Sequence, residues 1–319
     1  MKTKTISGFR LSQPTKTKLI SVAFESMMRG FKLHPYTWKW WREVNIHKNI
    51  SYGPEPEHRL DIYQPKLMPS KSPVCMYIHG GAFTLLSKDT HWMAALHLAR
   101  QGYTVFTIDY RLAREAPFPA AVQDSFAAAQ WIYRNASTYG ADHQQMVIGG
   151  ESAGGNLTLG VAVASCFAIN EPWAKALYSE NLPIKAVFPI CGFLQTSNPE
   201  RYVNKDKLPQ FFKDRIAATS IRYTQGKKHP LADPLVIIES DRQASRPLPP
   251  IYSFVGTKDP ILDDTRRLER ALKRRDTAHE VLYYPNEVHG FHLAVWRQQS
   301  QIAWRKQEAY LRNYVQFSR

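Results

Sequence analysis

The stretch QMVIGGESAGGNLTLGVAVA, residues 145–164, decides the fold. Its first part, through Gly150, is a short apolar run that reads as a strand. From Ala153 onward, small and apolar residues continue with helical spacing. Between the two, Gly150-Glu151-Ser152-Ala153-Gly154 has the pattern G-x-S-x-G in the strand–turn–helix context that gives it chemical meaning. The reason for the spacing is steric. A serine on so sharp a turn is held in strained backbone geometry, and its neighbours two residues away must carry almost no side chain; Gly150 and Gly154 meet that demand. The turn aims the hydroxyl out of the sheet and sets the positive end of a helix beneath any negative charge developing there. Ser152 is therefore the candidate nucleophile. A glycine-rich turn that merely packs a helix on a sheet would show the same local pattern, so the neighbouring motifs must decide.

Upstream, the run VCMYIHG ends in His79-Gly80-Gly81-Ala82-Phe83. Consecutive glycines at a strand end let backbone N–H groups approach a substrate carbonyl. Gly80 and Gly81 are the expected oxyanion donors, joined by the N–H of Ala153; a single such donor lowers a barrier by roughly 3 kcal/mol. His79 reads as a structural residue holding the loop. Downstream, the chain order serine, acid, histidine leaves His229, His279, His289 and His292 as candidate bases. His289 follows the strand EVLYYP and lies at the sheet edge where the serine is, whereas His279 opens that strand at the opposite edge. His229 falls in an expected cap segment, and His292 reads as packing. Asp259, just after the strand IYSFVG, mirrors His289 and is the expected acid, while Asp263 and Asp264 suit the start of the following helix.

Working outward, short β-rich runs alternate with helical stretches from about residue 58, and several runs are continuously apolar. That is the pattern of an α/β protein with a mostly parallel central sheet covered by helices on both faces. Two segments break it: residues 1–42, basic and carrying Trp38, Trp40 and Trp41, and residues 193–240. Both are expected to form a helical cap over the site, on a core of residues 43–192 and 241–319.

The bulk properties exclude several classes. No apolar run approaches the roughly 20 residues of a membrane span, and the basic N-terminus lacks the apolar core of a signal peptide, so the expectation is a cytoplasmic protein. Cys75, Cys166 and Cys191, in apolar settings and without paired spacing, read as small core residues, which leaves no disulfide framework and no zinc site. The formal charge of +15 has two readings. It is a solvated basic surface, or it attracts the protein to an anionic membrane surface; no nucleic-acid reader motif accompanies it.

Over roughly residues 58–295 the chain resembles the hormone-sensitive-lipase-like esterases, the bacterial branch in particular. The motifs that carry the resemblance are His79-Gly80-Gly81-Ala82-Phe83, the glycine-rich run 150–156, DPILDD at 259–264, VHGF at 288–291 and DYRLAREAPFPAA at 109–121. The resemblance implies an α/β-hydrolase fold with a cap, Asp259 as the acid, and hydrolysis of small-molecule carboxylic esters of short to medium chain, with no cofactor and often as a homodimer. It also marks departures: Ala82 stands for a third glycine, and Glu151 for an aspartate. Two rival functions remain at this stage. An amide-bond hydrolase such as an arylformamidase would use the same residues, and a non-catalytic binder on the same scaffold is disfavoured by the presence of His289.

Overall fold

The structure is a computed structural model that describes residues 35–67, 71–203 and 208–317, together with Ser26 and Gly30. The remainder of segment 1–34, and residues 204–207 of the second expected cap segment, lie outside the described residues. Eight strands form one sheet: β1 Val44–Ser51, β2 Arg59–Pro65, β3 Ser72–Ile78, β4 Thr104–Ile108, β5 Ala141–Glu151, β6 Ile184–Ile190, β7 Ile251–Gly256 and β8 His279–Tyr284. Their spatial order is β1-β2-β4-β3-β5-β6-β7-β8. β1 and β2 pair antiparallel, as do β2 and β4, and every later pairing is parallel.

The continuous apolar runs follow from burial on two sides. Successive strand residues point to opposite faces. In β3, Val74, Met76 and Ile78 enter one core, with the helices Ala120–Asn135 and Ala153–Cys166, while Cys75 and Tyr77 enter another, with the helices Trp92–Arg100 and Gln298–Leu311. All of β3 is buried, and its one serine, Ser72, is paired with the Thr104 hydroxyl of β4. β1 differs. It is a mostly exposed edge strand, VNIHKNIS, with an irregular register between His47 and Ile50, and its apolar alternation of Val44, Ile46 and Ile50 is broken at Lys48.

The order reverses between β3 and β5, because β4 lies on one side of β3 and β5 on the other. Such a switch point opens a crevice at the carboxyl ends of the strands, where ligands of open α/β sheets bind. The His79 loop and Ser152 leave the sheet at that crevice.

The two segments set apart in the sequence have separate fates. The helix Pro35–Arg42 lays Trp41 on Trp92, ring centroids 5.1 Å apart, and Trp40 against His97. Trp40 and Trp41 thus pack on the sheet's flank while Trp38 is exposed, and none of the three lines either cavity beside Ser152. The helix Gln210–Thr224 does face the crevice, whereas the short helix Pro234–Glu239 is built into the core beside the Ala153–Cys166 helix. No helix among the described residues is long and apolar enough to cross a membrane.

Candidate active site

Ser152 stands between the last residue of β5 and the first of the Ala153–Cys166 helix, with φ 55° and ψ −116°. Positive φ in a residue with a side chain costs energy and persists only where the surroundings enforce it. The enforcement is visible. A Cβ on Gly150 or on Gly154 would collide with the carbonyl oxygen of Ile78 in β3, so only glycines let the elbow sit this close to the neighbouring strand.

Asp259 and His289 come from adjacent loops, after β7 and β8. Backbone bonds stitch the loops together: Thr257 N–H to the Tyr284 carbonyl at 2.9 Å and Lys258 N–H to the Glu287 carbonyl at 3.0 Å. His289 Nδ1 donates to Asp259 Oδ2 at 2.7 Å, and Asp259 Oδ1 accepts the N–H of Ile261 at 2.9 Å. Burial opposes a positive charge on His289, but Asp259 overrides it and holds the imidazole pKa well above its usual range. Ser152 and His289 both line a cavity of about 200 Å³, walled mainly by apolar groups including Phe193, Phe211, Ile216 and Ile261. His279 sits at the far end of β8, His292 is fully buried, and His229 pairs with Glu171 at 3.3 Å.

One donor assignment needs correction. The N–H of Gly80 is already directed at Glu151 Oε1, so it is not free for a substrate. Among the described residues, no protein acceptor takes the N–H of Gly81 or of Ala82, and Ala153 N–H heads a helix whose first turn lacks internal partners. Gly81 and Ala82 adopt φ 115° and 54°, a left-handed course. Ala82, which stands where the resemblance has a third glycine, keeps the backbone N–H that such a loop presents. His79 holds the loop as expected. It is buried, its Nδ1 donates to the Gly80 carbonyl at 2.6 Å, and its ring stacks on Tyr110 at 4.4 Å. Burial, with His91 beside it, lowers its pKa to about 3, so it is neutral.

Asp264 is a second correction. The helix Leu262–Arg274 is preceded by Ile261 at the cap position, and Asp264 lies in its first turn. Its buried carboxylate instead accepts the N–H of Leu194 at 2.8 Å and the guanidinium of Arg201 at 2.7 Å, tying down the chain as it leaves β6.

The α/β-hydrolase fold family matches residues 75–293. The chain belongs to that family. Within the α/β-hydrolases it is similar to carboxylesterase NlhH of Mycobacterium tuberculosis, 28% identical over 248 residues that span 76% of this chain and 74% of the relative. It is also 30% identical over 246 residues to esterase LipI of the same organism, covering 75% and 72% of the two chains. Among solved structures, esterase LipW from Mycobacterium marinum superimposes with a TM-score of 0.77 at 22% identity, over 96% of this chain and 91% of that one.

Two further features of this α/β-hydrolase were invisible in the sequence. Cys191, expected only as core, is buried with its Sγ within 4.8 Å of ligand atoms of both Asp259 and His289. Arg215, in an unremarkable helical stretch, faces the cavity beside Ser152.

Proposed function

We propose that this chain is a serine carboxylesterase acting through an acyl-enzyme. The observation that carries the reading is the Asp259–His289 hydrogen bond, whose imidazole opens on the same cavity as the strained Ser152. With Nδ1–H bound to Asp259, the second ring nitrogen is left to accept a proton. His289 takes the Ser152 proton as the hydroxyl oxygen attacks the ester carbonyl, and Asp259 stabilises the imidazolium. The amides of Gly81, Ala82 and Ala153 hold the oxyanion. The imidazolium then protonates the departing alkoxide, and the alcohol leaves. Water, deprotonated by the same imidazole, attacks the acyl-enzyme, and the acid is released as Ser152 regains its proton.

The names of the esterase relatives favour esters over amides. The helix Gln210–Thr224 acts in this reading as the cap of the acyl site. The test is steady-state assay of wild type and Ser152→Ala on p-nitrophenyl esters from acetyl to palmitoyl, with formylkynurenine and aryl amides in parallel. Hydrolysis of the shorter esters that Ser152→Ala abolishes is expected. A wild type inert on every ester, or an undiminished Ser152→Ala, defeats the reading, and a clear preference for the amides replaces it.

A further inference from the structure

The cavity walls beside Ser152 hold three cations besides His289, and two of them are spoken for. Arg297 is bound by both oxygens of Glu287, at 2.7 and 2.8 Å. His91 is paired with Glu151 at 2.7 Å. The third is Arg215. It projects from the middle of the Gln210–Thr224 helix and borders both cavities that meet at Ser152, the smaller apolar one and a larger one of about 550 Å³ that runs past the glycine loop.

No carboxylate among the described residues lies within ion-pair reach of Arg215, and its nearby charge is another cation, Arg222. Half-burial and that neighbour make the guanidinium slightly less ready to hold its charge. A half-buried guanidinium without a partner is energetically exposed: it has lost part of its water and gained no anion. Its five donors form a planar fork matched to a carboxylate. The formal charge of +15 adds a field that draws anions in.

From these contacts we infer that Arg215 is a specificity-determining residue, and that the esters this enzyme favours carry a carboxylate in addition to the ester bond. The inference rests on the esterase reading, because it needs the ester carbonyl at Ser152. Bordering both cavities, Arg215 can meet that carboxylate on the acyl side or on the alcohol side, and matched substrates separate the two.

For the acyl side, the pair is monoethyl adipate and its amide, ethyl adipamate. For the alcohol side, it is p-carboxyphenyl butanoate and p-carbamoylphenyl butanoate. Each pair keeps size and changes charge. The readout is the ratio of kcat/KM, anion over amide, in wild type, Arg215→Met and Arg215→Lys. In at least one pair the ratio is expected to fall about tenfold in Arg215→Met, the factor that roughly 1.4 kcal/mol of charge-assisted contact supplies, and to recover in large part in Arg215→Lys. Equal ratios in wild type and Arg215→Met for both pairs overturn the inference. If Arg215→Met fails to fold by circular dichroism, the wild-type ratio decides alone: it falls as ionic strength rises, and a salt-independent ratio overturns the proposal. A wild type inactive on p-nitrophenyl butanoate defeats the esterase reading itself, whereas activity there with flat ratios defeats only the role of Arg215.

Discussion

Glu151, the residue before Ser152, accepts the backbone N–H of Gly80 on the loop after β3. Its other oxygen takes the Tyr77 hydroxyl at 2.6 Å, and His91 Nε2 lies 2.7 Å from Oε1. One buried carboxylate thus clamps the Ser152 elbow to the loop that carries the Gly81 and Ala82 amides. Oxyanion stabilisation depends on donors fixed before charge develops. The clamp supplies that rigidity, and the longer reach of glutamate over aspartate lets one side chain span both strands.

Glu151→Ala is expected to destabilise the fold by about 3–5 kcal/mol, because burial then forces His91 to give up its proton or stay charged without a partner, and the Gly80 N–H loses its acceptor. Burial opposes the charge on Glu151, yet His91 holds its pKa down at about 2 from 4.5; burial likewise opposes the charge on His91, and Glu151 raises it above 6.5. The carboxylate's contribution is present above pH 4.5 and fades as pH falls towards 2. The imidazole's is complete below pH 6.5 and fades as pH climbs through its raised value. Urea denaturation across pH should therefore show the largest gap between wild type and Glu151→Ala from pH 4.5 to 6.5. A gap that is small and flat with pH would mean the pair is not charged in the fold.

Asp259→Asn tests the partner of the base. The carboxylate raises the His289 pKa against the effect of burial, so in wild type kcat/KM should climb with pH along a limb lying above 6.5. Base catalysis needs the neutral imidazole, and removing the carboxylate lets burial lower the pKa, which moves that limb to lower pH. The same change frees the imidazole to adopt the wrong tautomer and should cost about ten-thousandfold in kcat. An Asp259→Asn profile whose limb stays in place would show that another group sets it.

The sheet and the serine elbow were legible in the sequence because both are written locally. Doubly buried strands leave continuous apolar runs, as in VCMYI, and the elbow demands glycines at fixed offsets from Ser152. Asp259 and His289 also have local marks, one loop beyond the fully buried β7 and one loop beyond the half-buried edge strand β8. What escaped is non-local or carried by the backbone. β1 is a mostly exposed edge whose apolar alternation is broken at Lys48. Asp264 looks like any acid in a first helical turn until Leu194 and Arg201 arrive from the far side of the chain. The loss of Gly80 as a donor depends on a side chain 71 residues away.

Ala82→Gly separates backbone from side chain at the oxyanion loop. Ala82 holds φ 54°, where an L-residue is strained and glycine is not. Because its N–H, and not its methyl, faces the substrate in the proposed mechanism, kcat should stay within about threefold of wild type, while Gly81→Ala should lose about a hundredfold or more through donor misplacement. For Gly81 the loss is forced, since φ is 115° and a Cβ would strike the Leu85 carbonyl. A severe kcat loss in Ala82→Gly would assign the methyl a role in the pocket.

Ile216→Ala probes what sets chain length. Ile216 is buried on the Gln210–Thr224 helix and forms part of the wall of the 200 Å³ cavity that Ser152 borders. In the proposed reading the acyl chain lies along this wall, and Ile216 limits the space it can fill. Trimming isoleucine to alanine removes three carbons from the wall, so the optimum on the p-nitrophenyl ester panel should move to longer chains by a similar number. Each additional methylene that now finds an apolar wall is worth about 0.8 kcal/mol, or about fourfold in kcat/KM. Short esters, left with unfilled space, should lose by a comparable factor. A thermal melt within a few degrees of wild type, with an unchanged chain-length profile, would place the acyl chain elsewhere, in the larger cavity along the Gly81 loop.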